Sequence, residues 1–132
     1  MINMGKTARE LSTEELRTYR PWQAMGDYQK DPSVAKRRER ALKIARSAAE
    51  FLKMRYGAKR VVIFGSLAQK TPFTPWSDID LAVWGIKPEK YFSAAGDAMD
   101  MGLDSGIKVD LVDPQDCSKE FRADIEVDGI EV

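Results

Sequence analysis

The sequence predicts an α/β (α+β) domain: a small mixed sheet with helices packed mainly on one side. Three observations predict it. Apolar residues recur at helical spacing along residues 32–56. Three short apolar runs, at 60–64, about 78–84 and 107–112, read as strands, and the last alternates in and out. Glycines and prolines punctuate the chain between these runs.

Residues 1–10 carry no strong signal. Ser12-Thr13-Glu14-Glu15 then reads as a capping box, with Leu11 and Leu16 as its hydrophobic staple. A short helix should follow and stop or bend near Pro21. Residues 21–30 read as a connection with Trp22 as a docking anchor. Residues 1–30 are therefore expected to form an N-terminal helical extension, and 31–132 the main domain.

Asp31-Pro32 is a helix start, with Asp31 as N-cap and Pro32 in the first turn. The helix should run to about Tyr56, present Leu42, Ala45, Ala48/Ala49 and Leu52 as its apolar stripe, and stop at Gly57. A strand from Arg60 to Phe64 leads into a Gly65-Ser66 turn and a loop holding Pro72 and Pro75. The next strand is expected from about Asp78 to Trp84. Pro88 opens another helix, with Tyr91, Ala94/Ala95 and Ala98/Met99 on one face and Gly102 and Gly106 as breakers. A third strand, Ile107 to Val112, should point Ile107, Val109 and Leu111 one way and Lys108 and Asp110 the other. Pro114 to Val127 reads as a final helix, and Asp128-Gly129 as a turn into a terminal extended piece.

The 132 residues suffice for one domain with a modest core. Lys+Arg and Asp+Glu each total 21, so overall charge gives no drive toward nucleic acid or a membrane surface. No long apolar run or signal-peptide pattern is seen, and a soluble, cytoplasmic chain is expected. Cys117 is the single cysteine, which excludes an intrachain disulfide and a cysteine-rich zinc site. The chain has no histidine, which excludes Ser-His-Asp, Cys-His and His-based zinc chemistry. A metal must then be held mainly by oxygen, which favours magnesium, manganese or calcium. Acid–base work falls to carboxylates, lysine or tyrosine.

Within those bounds the acids stand out. Asp78 and Asp80 are two residues apart at the head of a strand, so their side chains project from one face while Ile79, Leu81 and Val83 point into the core. Convergent carboxylates repel unless a cation sits between them. Asp110 leaves its own strand on the polar side and can complete a three-acid cluster. Asp104, in a Gly-rich loop, and Asp113, a cap before Pro114, are its rivals. Gly65 lets a phosphate approach the backbone closely, and Ser66 adds a hydroxyl donor. Each feature alone has an ordinary explanation as a turn, a cap or a surface acid. Together they join metal ligands to phosphate donors. Lys36-Arg37-Arg38-Glu39-Arg40 is a basic cluster early in the long helix, ordinarily a solvated face. Trp76, two residues before Asp78, is the best placed of the tryptophans to border a nucleotide, and Trp84 shares the acids' strand face.

The run Phe64 to Val83, FGSLAQKTPFTPWSDIDLAV, resembles the signature of the polymerase-beta-like nucleotidyltransferases, above all their minimal, single-domain prokaryotic branch, the MNT proteins. The resemblance implies that fold. It implies that Gly65 and Ser66 grip a triphosphate, that Asp78 and Asp80 bind two Mg2+ ions, and that Asp110 assists as a further metal ligand or base. ATP is the implied nucleotide, and Lys70 is placed to neutralise its outer phosphates. Members often carry an arginine soon after the serine; Leu67 and Gln69 stand there in this chain. The implied reaction is attack of a hydroxyl on the α-phosphorus with pyrophosphate leaving. The implied partner is a HEPN-family protein, with the chain as antitoxin and AMP passing to the toxin. Direct nucleic-acid binding is not expected, and an oligomer is compatible with the sequence. The alternative is a non-catalytic antitoxin that neutralises a HEPN-type RNase by occlusion, with a nucleotide-sensing regulatory domain as a third option.

Overall fold

The computed structural model describes residues 30–68 and 73–132. The expected N-terminal helix, Trp22 and Lys70 lie outside the described residues.

Helix α1 spans Pro32–Tyr56. Its start is set as the sequence predicts: Asp31 Oδ1 accepts from the Ser33 amide at 2.9 Å, with Pro32 in the first turn. Such a cap contributes about 1 kcal/mol. The helix closes at Gly57. Its buried face is Val34, Ala41, Ala45, Ala48, Ala49 and Leu52. Four alanines let the helix lie close to the sheet, and burying Leu52 alone stabilises by about 2 kcal/mol.

Strand β1, Arg60–Phe64, follows, and a four-residue 3-10 turn, Gly65–Ala68, leaves it. Strand β2 is Ile79–Trp84, so Asp78 stands just before the ladder rather than inside it. Helix α2 spans Pro88–Leu103 and buries Ala94, Ala98 and Gly102. Strand β3 is Val109–Val112, shorter at its start than the alternation suggested. The segment predicted as one helix from Pro114 divides in two. Asp113 caps a 3-10 turn at Pro114–Asp116, and Ser118 caps a new helix, α3, at Lys119–Asp128. The Ser118 hydroxyl accepts from the Phe121 amide at 3.1 Å, an independent start signal. The terminal piece is strand β4, Ile130–Glu131.

Among the described residues the strands form one mixed sheet in the order β3-β2-β1-β4. β1 pairs antiparallel with both β2 and β4, and β2 pairs parallel with β3. Ile79, Leu81 and Val83 point with Val61, Ile63 and Val109 into the core shared with α1 and α2. The opposite face carries Val62 and Ala82 beneath Ile125 of α3. Two helices thus cover one face and a short one rests on the other.

Gly102 does not break α2; it lies within the last turn. A Cβ there would stand 2.0 Å from the Ile107 carbonyl oxygen. The missing side chain lets the connection to β3 fold back against the helix, and the Ile107 amide donates to the Gly102 carbonyl at 3.0 Å.

Candidate active site

The acids meet at one end of the sheet, on the face that carries α3. Register makes this so. Asp80 is the partner of Asp110 across the parallel β2–β3 pair and of Phe64 across β1–β2. Adjacent strands lie about 4.8 Å apart, and register partners share a face. Asp78 precedes this pair by two residues. The two rivals are elsewhere engaged. Asp104 is exposed at the end of α2. Asp113 Oδ1 accepts from the Gln115 amide at 2.9 Å as a cap.

Gly65 sits against Asp80. Its φ is +75°, and a Cβ would fall 2.7 Å from Asp80 Oδ2. Only glycine combines that backbone with that proximity. Ser66 follows, half-buried, in the same turn. On the other approach, Thr74–Ser77 forms a closed turn that fixes the entry to Asp78. The Thr74 amide donates to Ser77 Oγ at 2.9 Å, and the Ser77 amide to the Thr74 carbonyl at 3.1 Å. This turn displays Trp76, which is 72% exposed. An aromatic pair flanks the acids: Phe64 meets Phe121 of α3 edge-on, with centroids 5.3 Å apart.

Burial pushes the Asp80 carboxyl above its ordinary value, and the neighbouring charges of Asp110 and Asp78 push it further; Lys108 partly opposes them. Lys108 Nζ stands 3.5 Å from Asp110 Oδ1. Among the described residues, no group of three or more His, Cys, Asp or Glu side chains is arranged to hold a metal ion. The donor chemistry nevertheless fits a hard divalent cation. All three groups are carboxylates, two are held in register on one face, and to the rise that burial gives Asp80 its acidic neighbours add a repulsion that a cation would relieve. Asp110 is paired with Lys108 instead of closing a ligand set with the other two carboxylates.

Two contributors escaped the sequence reading. Lys108 reads as one more residue on a polar face, yet it forms an ion pair with Asp110. In the basic cluster of α1, Arg37 and Arg38 are half-buried and bond to backbone carbonyls, whereas Lys36 and Arg40 are exposed. A charge run gives no signal for which members turn inward.

Residues 47–132 match the family model described as Polymerase beta, Nucleotidyltransferase. Among solved structures, a chain from a mutant MntA-HpeT toxin-antitoxin crystal structure is similar over 66% of this chain and 69% of its own, at 22% identity and a TM-score of 0.50. A structure described as a minimal nucleotidyltransferase is similar over 76% of this chain and 93% of its own, at 25% identity and a TM-score of 0.49. No curated protein matches. No helix among the described residues is long and apolar enough to cross a membrane. The matched span covers about two thirds of the chain and includes Gly65, Asp78, Asp80 and Asp110; by that match the chain belongs to the polymerase beta nucleotidyltransferase family and has its fold.

Proposed function

We propose that this domain transfers AMP from ATP to a hydroxyl of a HEPN-type partner protein and so acts as its antitoxin. The observation that carries the reading is the register pairing of Asp80 with Asp110 beside Gly65. Paired carboxylates on neighbouring strands weaken a fold, and their placement is accounted for by a polyphosphate and its counter-ions. Asp78, Asp80 and Asp110 would hold two Mg2+ ions, which supply charge neutralisation of the triphosphate and activation of the attacking hydroxyl.

The chain's own groups divide the remaining work. Gly65 lets the turn close against the Asp80 carboxylate, and the amides and Ser66 hydroxyl of the turn can donate to phosphate oxygens there. Lys70 is assigned to the outer phosphates. Asp110 takes the proton of the acceptor hydroxyl. The new bond joins the acceptor oxygen to the α-phosphorus, and the bond to the bridging oxygen of pyrophosphate breaks. Trp76 and the Phe64–Phe121 pair offer apolar surfaces on either side of the acids. Support for a HEPN partner comes from the resemblance of the Phe64–Val83 run to MNT proteins and from the toxin-antitoxin assembly named for one similar structure.

One observation favours a second reading, an antitoxin that blocks its partner by occlusion. Asp110 is paired with Lys108, and Leu67 and Gln69 stand where an arginine is usual. ATP labelled at the α-phosphate, incubated with Mg2+ and the product of the adjacent gene, separates the two. Label on the partner that vanishes in the Asp78→Asn/Asp80→Asn double variant supports transfer. Inhibition that persists in that variant without any label supports occlusion.

A further inference from the structure

Two adjacent arginines on α1 reach every loop that carries the candidate site. Arg38 Nη2 donates to the Leu67 carbonyl at 3.1 Å, inside the turn that holds Gly65 and Ser66. Arg37 Nη2 donates to the Gly106 carbonyl at 3.3 Å and, more weakly, to the Ser77 carbonyl at 3.5 Å. Ser77 immediately precedes Asp78, and Gly106 lies in the connection that enters the Asp110 strand. The three carbonyls are 29, 69 and 40 residues from their donors along the chain. Arg37 Nε is buried with no hydrogen-bond partner among the described residues. An unpaired buried donor costs free energy, and a cation near a helix N-terminus is mildly unfavourable. Solvation therefore does not explain why this side chain turns inward, whereas bridging two loops does. Both arginines precede the residues matched by the family.

We infer that Arg37 and Arg38 are positioning residues for the carboxylate site. One turn of a rigid helix gives the turn after β1, the entry to β2 and the entry to β3 a common reference. Gly65, Asp80 and Asp110 are thereby presented in one fixed relation. A guanidinium suits this task because Nη2 alone carries two N–H donors, one for each carbonyl, at the end of a long side chain. The inference rests on the carboxylate reading proposed above.

Calorimetric titration of the full chain with Mn2+, paired with backbone hydrogen exchange, tests it. Arg37→Gln should weaken Mn2+ binding about tenfold and Arg38→Gln about threefold, the scale of one or two lost hydrogen bonds. Lys36→Gln removes the same charge from the same turn and should stay within about twofold. Exchange in segments 64–68 and 106–110 should quicken in the arginine variants and not in Lys36→Gln. Arg37→Lys, which keeps the charge and several N–H donors on a shorter side chain, should recover part of the affinity; it also serves if Arg37→Gln fails to fold. Equal affinities in wild type and Arg37→Gln, or equal losses in Arg37→Gln and Lys36→Gln, overturn the inference. A wild-type chain that takes up no Mn2+ overturns the carboxylate reading and this site role with it. Unchanged exchange in the arginine variants overturns the anchoring alone.

Discussion

Asp80 and Asp110 are register partners on parallel neighbouring strands, with no residue of opposite charge between them in the ladder. That pairing sets two like charges on one face at strand spacing, in a half-buried position. Burial raises the Asp80 carboxyl, and this pairing raises it further. Stability and proposed chemistry therefore pull in opposite directions at this residue.

Asp80→Asn should stabilise the fold while abolishing transfer. Because the folded-state value of Asp80 lies above its ordinary 3.8, the folded chain holds this proton more tightly than the unfolded one. Stability from this group falls as pH rises from the unfolded value through the raised one, and the cost persists above that window. Asp80→Asn should then be the more stable protein at neutral pH, and the gain should vanish below the unfolded value. Urea melts at several pH values, run without divalent ions, check the sign.

Gly65→Ala should damage the site more than the fold. The added methyl meets Asp80 Oδ2, and the left-handed backbone is strained for alanine. A loss of about 1–2 kcal/mol is expected, with Mn2+ affinity falling more steeply than thermal stability. Calorimetry and thermal melts of the same sample compare the two.

Tyr91→Phe should stabilise. The Tyr91 hydroxyl is buried without a hydrogen-bond partner among the described residues. Burial first, then the charges of Asp113 and Asp116, push its phenol up to about 12. The unfolded chain loses this proton from its ordinary value of 10.0, so wild-type stability should decline between that value and about 12. The phenylalanine variant should gain about 1 kcal/mol at neutral pH and lack this share of the alkaline decline. Denaturant midpoints of the two proteins, compared across that range, decide it.

Gly102→Ala should be severe. The new Cβ would meet the Ile107 carbonyl and the Val109 side chain, both fixed by neighbouring structure. Overpacking of this kind costs about 1–3 kcal/mol, and the connection into β3 would have to shift. Gly96→Ala, on the same helix with open space around it, should be neutral or mildly stabilising in a parallel melt.

These contrasts mark what a sequence can disclose. The ends of α1 were legible because Asp31, Pro32 and Gly57 act locally. The outward face of Asp80 was legible because strand parity is local too, whereas Asp78 stands just before the strand, where parity does not act. The pairing of Asp80 with Asp110 is a long-range event that parity permits without specifying. Gly102 reads as a breaker along the chain, and only the return of Ile107 shows it as a point of close approach. Arg37 and Arg38 look like their exposed neighbours until the carbonyls they reach are brought beside them by folding. The restart of the last helix had a visible cause in Ser118, masked by the stronger signal of Pro114.

Strand order has a further bearing on the trio. β2 is hydrogen-bonded on both flanks, whereas β3 is four residues long and paired on one. The single ladder leaves β3 less supported within the sheet, and Val109, buried in the core, is what ties it to the rest of the fold. Asp110 therefore depends for its place on its neighbour Val109 as much as on its pairing with Asp80.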